Sequence, residues 1–553
     1  MKKHFFLWTM LLVVLPLTAE VHITINNPDT WIAQELSPYV GQEVVFDTPM
    51  ILCSNYGTYV ISPRRFFSPT NQAVPGTAEC SNVTMLNQQG RVSLYGVYDY
   101  HRCGEKIYNL KARVNSASYS GASLSYIDGE WRGNTRADLE AGIPDLGDYR
   151  LLVCAMNLEY YIASAFDPTS SMGPDDLEEH KKQRTKVSKA LTRINADIFG
   201  FVEIEQGPAA VQEIADDLNA NLPGRNYTYV DDNTTSKGTF TRAAFVYDAN
   251  VVEPAGVLRS TSYSTIGTER HRMICFREKA TGEKFIFSLN HFKAKRGTGT
   301  GADADQGNGV GSFNATRLGE AQAVVTLYKS YYPAVRDKDV LIMGDLNAYA
   351  KEDPIMLFTE KNDMIDLHRA YHADTSYSYQ YGGTAGYLDH AICNLTLYPQ
   401  VTGMSGFHIN SDELDSYTYD QSDDLTMFRC SDHDPVLVGL KLDSTLSGDP
   451  YFNGGNFAQD SLTFYYPYAP GEENLDPKMY FDIFTISGYP VCAPTRIEFY
   501  GIKPEEHKKY YTFSSDNPNL PDEIKRFLPL PTGLYVIHFY FNGSVKSHKL
   551  IVK

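Results

Sequence analysis

Residues 340–347 read Val-Leu-Ile-Met-Gly-Asp-Leu-Asn, an apolar run that ends in two polar side chains. The aliphatic run predicts a buried strand. Asp345 and Asn347 are two positions apart, so they fall on one face at its carboxyl end, where open α/β sheets keep their active sites. A carboxylate and a carboxamide there could orient water or bind an ion. An ordinary Asx turn is the alternative, because Gly, Asp and Asn also dominate turns.

The same arrangement of a strand bordered by polar residues recurs along the chain. The residues that take part in these repeats are Asn157, Glu203, Glu205, Asn290, His291, Asp389, His390, Asp432, His433 and Asp434. A few such strand ends are expected as turns. Six of them in one region favour a site in which the strand ends converge.

The chemistry of this set is that of oxygen ligands and histidines. It contains carboxylates, carboxamides and two well-placed His, but no nucleophilic Ser or Cys with a partner. Oxygen ligands without thiolates suit Mg2+, Mn2+ or Ca2+ rather than zinc. A hard divalent ion beside a histidine base is suited to the attack of water on a phosphate ester.

The length and the first residues indicate an exported protein of several domains. A chain of 553 residues is too long for one core. Residues 1–20 combine Met-Lys-Lys, an apolar run and small residues, which is typical of a secretory signal peptide. The run is too short to span a membrane as a helix, and no later segment is long and apolar enough to do so. We therefore expect a secreted, cell-surface or periplasmic protein without membrane insertion.

Pattern changes divide the mature chain into four parts. Short alternating runs in 21–114 predict a small all-β domain. Residues 115–147 are rich in Ser, Gly and Asp and predict a linker. Strands that alternate with helices over 148–443 predict a two-sheet α/β layer domain. Residues 450–553 show β-like alternation and end in a predicted hairpin with an Asn-Gly turn at 542–543.

The net charge of −18 and the eight Cys limit the further interpretation. A protein that binds polyanions by charge alone should be basic, so a nucleic acid would need a local basic groove and a metal ion. No CxxC or Cys/His zinc spacing occurs. Because Cys393 and Cys430 each lie beside a suspected active-site strand, a disulfide between them is a hypothesis, with buried free thiols as the alternative.

The motifs, taken together, resemble the endonuclease/exonuclease/phosphatase superfamily. The matching pieces are 156–158 (Met-Asn-Leu), 201–205 (Phe-Val-Glu-Ile-Glu), 290–293 (Asn-His-Phe-Lys), 344–347 (Gly-Asp-Leu-Asn), 388–390 (Leu-Asp-His) and 431–435 (Ser-Asp-His-Asp-Pro). The resemblance implies a four-layer α/β sandwich for the central domain. Residues 301–309 and 314–317 look like the secreted bacterial nuclease branch, which implies an OB-like fold for the N-terminal domain. The C-terminal domain is similar to type IX secretion sorting domains, with an ordinary β domain as the alternative.

The resemblance also implies a role for each matching residue. Asn157 and Glu203 would hold the metal, with Asp432 a candidate for a second position. His433 would be the base or orienting group for water, with its imidazole held by Asp389. His291 would contact the scissile phosphate, while Asp345 and Asn347 would orient water and phosphate. The cofactor would be Mg2+ or Mn2+, with Ca2+ as an auxiliary or structural ion.

Several neighbouring residues have two interpretations. His390 is either a structural hydrogen bonder or a catalyst, and Glu205 either supports the ligands or is solvated. Arg242 either contacts phosphate or forms an exposed ion pair. Lys293, Lys295 and Arg296 either supply the local basic groove or form a solvated loop tip. The 297–312 loop, with Asp303 and Asp305, is either a substrate-side loop or a Ca2+ site.

These observations predict an exported, Mg2+- or Mn2+-dependent phosphodiesterase, and specifically a nuclease that cuts DNA, or RNA, with little sequence preference. The alternative enzyme keeps this chemistry but acts on phospholipid head groups, nucleotides or inositol phosphates. A catalytically inactive binding scaffold is a third interpretation. It predicts missing motif residues, and none of the main ones is missing. The sequence does not distinguish endo from exo cleavage or determine the oligomeric state.

Overall fold

The structure is a computed structural model of the whole chain. It describes residues 20–442 except 119–120, 171, 236–240 and 262–267. Beyond 442 it describes residues 451–452, 457–458, 462–467, 479–485, 490–496, 501–503, 508–513, 525, 533–541 and 544–552. The predicted signal peptide and the turn at 542–543 lie outside the described residues, apart from Glu20.

Two β-sheets form the middle of the central domain. The six-stranded sheet has, in spatial order, Tyr227–Tyr229, Thr241–Asp248, Ile198–Glu205, Leu151–Tyr161, Val436–Leu440 and Val401–Gly406. The seven-stranded sheet runs Val252–Pro254, His271–Glu278, Lys284–Asn290, Val340–Asp345, Asp389–Cys393 and Ile365–Asp366, with Arg259–Ser260 paired to His271–Glu278. Their strands are nearly continuous apolar runs, as strands buried on both faces require.

Helices cover the outer face of each sheet, so the domain has four layers. The helices Leu177–Ile194 and Pro208–Asn221 share a core with the six-stranded sheet. The helices Asn314–Val335 and Asp353–Thr359 share a second core with the seven-stranded sheet. A third core, rich in Phe, Leu and Val, contains residues from both sheets. The structure thus confirms the predicted four-layer α/β sandwich.

Each sheet contains one central pair of parallel strands. Leu151–Tyr161 runs parallel to Ile198–Glu205, and Lys284–Asn290 runs parallel to Val340–Asp345. Parallel strands deliver their carboxyl ends to the same edge of a sheet. The polar ends of these four strands therefore provide the positions from which the site is built.

The sequence predicted the long elements of this domain better than the short ones. The helix Leu177–Ile194 spans a segment rich in Lys, Arg and Glu with helical spacing, and its N-cap Asp176 accepts hydrogen bonds from two backbone N–H groups, which explains where it begins. The short helix Leu367–His372 and the strands His271–Glu278 and Val401–Gly406 were not predicted.

The chain contacts divide the protein into two compact units, which are described separately. One comprises the chain up to Arg65 and Met85–Thr135; the other comprises Phe66–Thr84 and the chain from Arg136 onward. In the first unit, five strands close a circuit in which each pairs with the next. In order around the circuit they are Met50–Ser54, Tyr59–Ser62, Val92–Tyr95, Gly121–Arg132 and Lys106–Ser118. OB folds are five-stranded barrels, so this circuit is compatible with an OB-like domain, which stays a prediction.

Two predictions for the N-terminal region were wrong. The region is not all-β, because residues 78–89 form a helix and Ile32–Leu36 a shorter one. The linker predicted for 115–147 begins inside two long paired strands, Lys106–Ser118 and Gly121–Arg132. Their outer residues are exposed and polar, and this gave the segment the composition of a linker.

The C-terminal domain contains two sheets in its described residues. One has four strands and the other five. The last two strands, Gly533–Phe541 and Ser544–Val552, are antiparallel. Their residues pair without interruption, from Phe541 opposite Ser544 to Gly533 opposite Val552. This confirms the predicted terminal hairpin, whereas the role of the domain in sorting stays a prediction.

Candidate active site

The ends of the two central strand pairs meet across the two sheets. The Nδ2 of Asn157, from the six-stranded sheet, donates to Asp345 Oδ2 at 3.2 Å. The Nε2 of His291 lies 3.4 Å from Glu203 Oε1 and 3.7 Å from Asp345 Oδ2. These contacts bring residues from four strands into one cluster, which we call the catalytic cluster: Asn157, Glu203, His291, Asp345, Asn347, Asp389, Asp432 and His433.

The strand end at 340–347 is both an Asx turn and part of this cluster. Asp345 Oδ1 accepts the backbone N–H of Asn347 at 2.9 Å, and Asp345 Oδ2 accepts Asn347 Nδ2 at 3.1 Å. Gly344 has φ +114°, and a Cβ there would lie 2.2 Å from the carbonyl oxygen of Asn290. Only glycine allows the two central strands to approach this closely. The two interpretations of this segment therefore describe the same geometry.

A hydrogen-bonded chain positions the imidazole of His433. Its Nδ1 is 2.6 Å from Asp389 Oδ2, which also accepts a hydrogen bond from Ser378 Oγ at 2.7 Å. The ring of Tyr379 stacks on the imidazole with centroids 4.6 Å apart. The Nε2 is thereby directed toward Asp345 and Asp432, at 4.0 and 3.8 Å. This is the arrangement of a histidine whose tautomer is set by a carboxylate.

The two histidines of the cluster have opposite electrostatics. Burial lowers the pKa of His433, but the carboxylates of Asp389, Asp432 and Asp345 outweigh burial and raise this pKa well above its usual value. For His291, burial and the nearby Arg270 guanidinium hold the pKa well below its usual value. His291 is therefore neutral at pH 7, while His433 readily holds a proton.

The carboxylates of the cluster repel one another. Burial, with the charges of Asp432 and Asp345, raises the pKa of Glu203 from 4.5 to about 7. The pKa of Asp345 is also raised, mainly by burial. Glu203 has φ +57°, an uncommon conformation for a non-glycine residue. Crowded carboxylates on a strained backbone are a frequent mark of functional sites.

Glu159 joins the same cluster and was not predicted. Burial and the charge of Asp432 raise its pKa, and no described residue provides a hydrogen-bond partner for its Oε2. Its backbone N–H donates to Asn157 Oδ1 at 2.9 Å, and Glu159 and Tyr160 both have positive φ. Its spacing of two from Asn157 equals that of Asp345 and Asn347, so the sequence did contain a signal for it.

These residues fit a hard divalent cation. Glu203, His291 and Asp345 each place one ligand atom within 4.8 Å of the other two, and Asp345, Asp389 and His433 form a second such group. The donors are mainly oxygens, and the Oε2 of Glu159 is buried without a hydrogen bond in the described part of the chain. Cations such as Mg2+ and Mn2+ prefer such donors. The roles predicted for Asn157, Glu203 and Asp432 as ligands stay predictions.

Two predicted neighbours of the cluster support its surroundings. His390 is buried, and its Nε2 is 2.7 Å from the Ala348 carbonyl oxygen, as its structural interpretation predicted. Glu205 is fully buried and accepts hydrogen bonds from the backbone N–H groups of Ala163 and Ser164 and from the Ser164 hydroxyl. It therefore anchors a loop and is not solvated.

Of the four basic residues that could contact phosphate, Arg242 and Lys295 are used in the interior, whereas Lys293 is half-buried and Arg296 is exposed. Arg242 donates to the carbonyls of Glu205 and Gly207 and pairs with Asp232, so it is neither exposed nor free to bind phosphate. Lys295 Nζ donates to both oxygens of Glu352, at 2.7 and 2.6 Å, and to the carbonyl of Val310. The interpretation of Lys295 as part of a basic groove is therefore wrong, because its ammonium group is already paired.

Part of the 297–312 loop has a structural explanation. Asp303 accepts hydrogen bonds from the backbone N–H and the hydroxyl of Thr316, at 2.8 and 2.6 Å, near the start of the helix Asn314–Val335. Asp305 accepts the backbone N–H of Gly307 at 2.9 Å. Asp303 therefore stabilises the start of that helix and Asp305 a local turn, and Ca2+ binding by this loop stays a prediction.

The disulfide hypothesis for Cys393 and Cys430 was wrong. Both thiols are free and buried. Cys393 lies in the core shared by the two sheets, and Cys430 lies in the core between the six-stranded sheet and its helices. Their strands are close to the site, but their side chains belong to different layers.

A family comparison agrees with the motifs. Residues 171–433 match the model of the endonuclease/exonuclease/phosphatase family. The central domain belongs to this family. Members of the endonuclease/exonuclease/phosphatase family hydrolyse phosphodiesters or phosphate esters, so this protein is a hydrolase of that class. None of the curated proteins matches the chain.

Three solved structures are similar to about half of the chain. An endonuclease/exonuclease/phosphatase from Bacteroides vulgatus is 16% identical and covers 53% of this chain and 99% of its own, with a TM-score of 0.36. The mannosyl-6-phosphatase of Bacteroides thetaiotaomicron is 18% identical and covers 53% and 100%, with a TM-score of 0.37. The catalytic domain of human nocturnin is 12% identical and covers 53% and 94%, with a TM-score of 0.34.

In the described part of the chain, none of the helices combines the length and the apolar character that crossing a membrane requires.

Proposed function

We propose that the protein is an exported phosphodiesterase that depends on Mg2+ or Mn2+, and that it is a nuclease cutting DNA with little sequence preference. The observation that carries the proposal is the Asp389–His433 pair, whose Nε2 is directed into a cluster of carboxylates. That arrangement supplies a proton acceptor next to a site for a cation and a phosphate.

The proposed reaction is the attack of water on the phosphorus of a diester: a bond from phosphorus to the water oxygen forms, the bond from phosphorus to one ester oxygen breaks, and that oxygen leaves as an alcohol after taking a proton from solvent. His433 Nε2 accepts the proton of the attacking water, and the Asp389 carboxylate stabilises the resulting imidazolium. Neutral His291 donates a hydrogen bond to a non-bridging phosphate oxygen, where negative charge develops. Asp345, which accepts two hydrogen bonds from Asn347, orients the water.

Asn157, Glu203 and Asp432 would hold the divalent cation, with Glu159 beside them. A bound cation would polarise the phosphate and, by neutralising these carboxylates, lower the pKa of His433 toward the range in which it accepts a proton.

The preference for nucleic acid rests on two sequence motifs and on the strand pairing of the N-terminal unit. The motifs at 301–309 and 314–317 resemble the secreted nuclease branch, and a closed circuit of five strands in the N-terminal unit is compatible with an OB-like domain. A second candidate is a smaller phosphate ester, such as a nucleotide, an inositol phosphate or a phospholipid head group. The net charge of −18 favours it, since a polyanion is repelled by an acidic protein.

One set of assays tests this proposal. The purified mature protein is incubated with plasmid DNA, RNA, sphingomyelin and bis(p-nitrophenyl) phosphate, each with Mg2+, with Mn2+ and with EDTA. We expect cleavage of DNA and of the aryl diester that EDTA abolishes. Cleavage of the lipid alone would contradict the nuclease, and undiminished cleavage in EDTA would contradict the metal dependence.

A further inference from the structure

A short hairpin stands directly beside the catalytic histidine. Its strands Tyr379–Tyr381 and Thr384–Gly386 are antiparallel, and they are joined by Gly382 and Gly383. Both glycines have positive φ, at 58° and 77°, as a two-residue hairpin turn requires. The hairpin therefore has a defined turn, in which only glycine is accommodated without strain.

The hairpin is fixed to the domain at its base. The backbone N–H of Ala385 donates to the carbonyl of Phe66, and the backbone N–H of Ser68 donates to the carbonyl of Ala385. Ser378, which precedes the first strand, donates to Asp389, and its carbonyl accepts the backbone N–H of Asp434. The base of the hairpin thus moves with the Asp389–His433 pair.

Strand alternation determines which way the hairpin side chains point. Tyr379 and Tyr381 are two positions apart, so their side chains leave the same face of the strand. Because the Tyr379 ring stacks on His433, Tyr381 faces the same side, about 7 Å farther out. Tyr381 is 72% exposed. It is nevertheless close to the site, because a charge on its hydroxyl would raise the pKa of Tyr349, two residues after Asn347.

Cationic groups border the Glu203 side of the site. Arg270 and Arg296 both act electrostatically on Tyr160, and Arg270 acts on Glu203 as well. Arg270 is held in place by hydrogen bonds from its guanidinium to the carbonyls of His291 and Phe292, at 3.1 and 3.3 Å. The site therefore has positive charge near Glu203 and exposed aromatic surface near His433.

We propose that Tyr381 is a stacking platform for a nucleobase that adjoins the scissile phosphate. A planar base has a face to offer the tyrosine ring, whereas a phosphate or a small polyol does not. The position of the ring, just beyond the residue that packs on His433, suits the first base next to the cleaved bond. This inference rests on the proposed nuclease function and adds a subsite to it.

The composition of the hairpin argues against a membrane contact. Amphipathic helices that enter a lipid interface present Trp, Phe or Leu on one face and Lys or Arg on the other. Residues 379–386 read Tyr-Gln-Tyr-Gly-Gly-Thr-Ala-Gly and contain none of these. An exposed tyrosine between small and polar residues suits stacking in water better than insertion into lipid.

The test compares substrates with and without bases. Wild-type protein and the Tyr381→Ala, Tyr381→Phe and Gln380→Ala variants are assayed in Mg2+ on two single-stranded oligonucleotides. One carries normal bases and the other carries abasic tetrahydrofuran residues around the cleavage position. Gln380→Ala is the matched control, because its side chain leaves the opposite face of the same strand. Binding to phosphatidylcholine–phosphatidylserine vesicles is measured in parallel.

We expect Tyr381→Ala to raise KM for the base-containing strand about tenfold and to leave KM for the abasic strand unchanged. Tyr381→Phe and Gln380→Ala should behave like wild type on both. Equal KM changes on the two strands, or none, would overturn the inference while leaving the nuclease intact. Loss of vesicle binding with unchanged KM would also overturn it. A wild-type protein that cleaves neither strand would overturn the nuclease function, and the inference with it.

Discussion

The compact unit that contains the central domain, Phe66–Thr84 and the chain from Arg136 onward, buries two charged clusters that differ in how their charges are paired. The first is the catalytic cluster. The second, the lysine cluster, comprises Lys295, Glu352, Arg317 and Thr70. In the lysine cluster, Glu352 accepts hydrogen bonds from Lys295 and from Thr70 Oγ1, and Arg317 donates to the carbonyls of Lys293, Ser312 and Val310. In the catalytic cluster, two carboxylate oxygens, Asp389 Oδ1 and Glu159 Oε2, have no hydrogen-bond partner among the described residues, whereas in the lysine cluster the atom without one is the guanidinium Nε of Arg317.

The difference separates structural charges from functional ones. A buried ion pair with its hydrogen bonds satisfied connects segments that are distant in sequence, but it has no capacity left for a ligand. An excess of buried carboxylates raises their pKa values and provides sites for a cation. The same kinds of residue therefore serve different purposes, and the excess of buried carboxylates over cationic partners distinguishes the catalytic cluster from the lysine cluster.

Replacing His433 should have the largest effect. In His433→Ala the proton acceptor is lost, and kcat should fall about 10³-fold to 10⁴-fold, because general bases contribute on this scale. The melting temperature should also fall, because Asp389 is left buried without its partner, so kcat is measured on protein whose folding is checked by circular dichroism. The assay is hydrolysis of bis(p-nitrophenyl) phosphate, with His390→Gln as control. That variant should lose stability, since His390 is buried against Ala348, but the folded protein should keep its kcat. Equal loss of kcat in both variants would contradict the role of His433.

Substitutions in the lysine cluster should lower the stability of the protein and leave its activity unchanged. Lys295→Met leaves Glu352 buried without its cation and should reduce the free energy of unfolding by about 3–5 kcal/mol. Urea unfolding measures this change. The double variant Lys295→Met/Glu352→Gln should recover part of the loss, because neither charge then remains unpaired.

The opposite outcome would change the comparison. If Lys295→Met unfolds at the wild-type urea concentration but raises KM for an oligonucleotide, Lys295 contacts the substrate and the two clusters act as one. The matched variant for this test is Lys441→Met, whose ammonium pairs with the exposed Asp148 far along the sequence. It should change neither quantity.

The metal-free catalytic cluster should make the protein less stable as the pH rises. The pKa of Glu203 is about 7 in the folded state and 4.5 ordinarily. Between these values the folded state holds a proton that the unfolded state has lost, so the contribution of Glu203 to the free energy of unfolding falls as pH rises and levels off above pH 7. The full cost is on the order of 3 kcal/mol. Mg2+ should offset it.

Melting temperatures at pH 5 and pH 8, with Mg2+ and with EDTA, test this linkage. The increase caused by Mg2+ should be larger at pH 8. Glu203→Gln should remove most of this difference, whereas Glu178→Gln, at a carboxylate that is largely exposed, should leave it unchanged. A Mg2+ effect of the same size at both pH values would contradict the assignment of Glu203.

The two clusters also show what the sequence could predict. Asp345, Asn347 and Glu203 follow their own apolar strands directly, so residue type and local position were enough to place them. The same reasoning failed for Lys295, because its partner Glu352 lies 57 residues away. Thr70, which completes that cluster, is 282 residues from Glu352. Pairings over such distances leave no local pattern, so whether a basic residue is free or paired could not be read from its neighbours.

The hairpin beside His433 shows a related limit. Its strands have three residues each and are separated by two glycines, which is too short for a reliable alternation. Ser378 and Tyr379 therefore remained unpredicted, although both act on the Asp389–His433 pair. Short elements are recognisable mainly from the partners that hold them.

Ser378 offers the smallest and most specific test of the catalytic cluster. Its hydroxyl donates to Asp389 Oδ2 at 2.7 Å, and the loss of one such hydrogen bond costs about 1 kcal/mol. Ser378→Ala should therefore lower kcat about fivefold and leave KM unchanged, because Asp389 would hold the imidazole less firmly while the substrate contacts remain. Ser376→Ala is the matched control, since that hydroxyl is 2.6 Å from the Nδ1 of His368 instead. Equal losses of kcat in the two variants would show that the hydroxyls act through the folding of this segment, and the hydrogen bond to Asp389 would then have no separate part in catalysis.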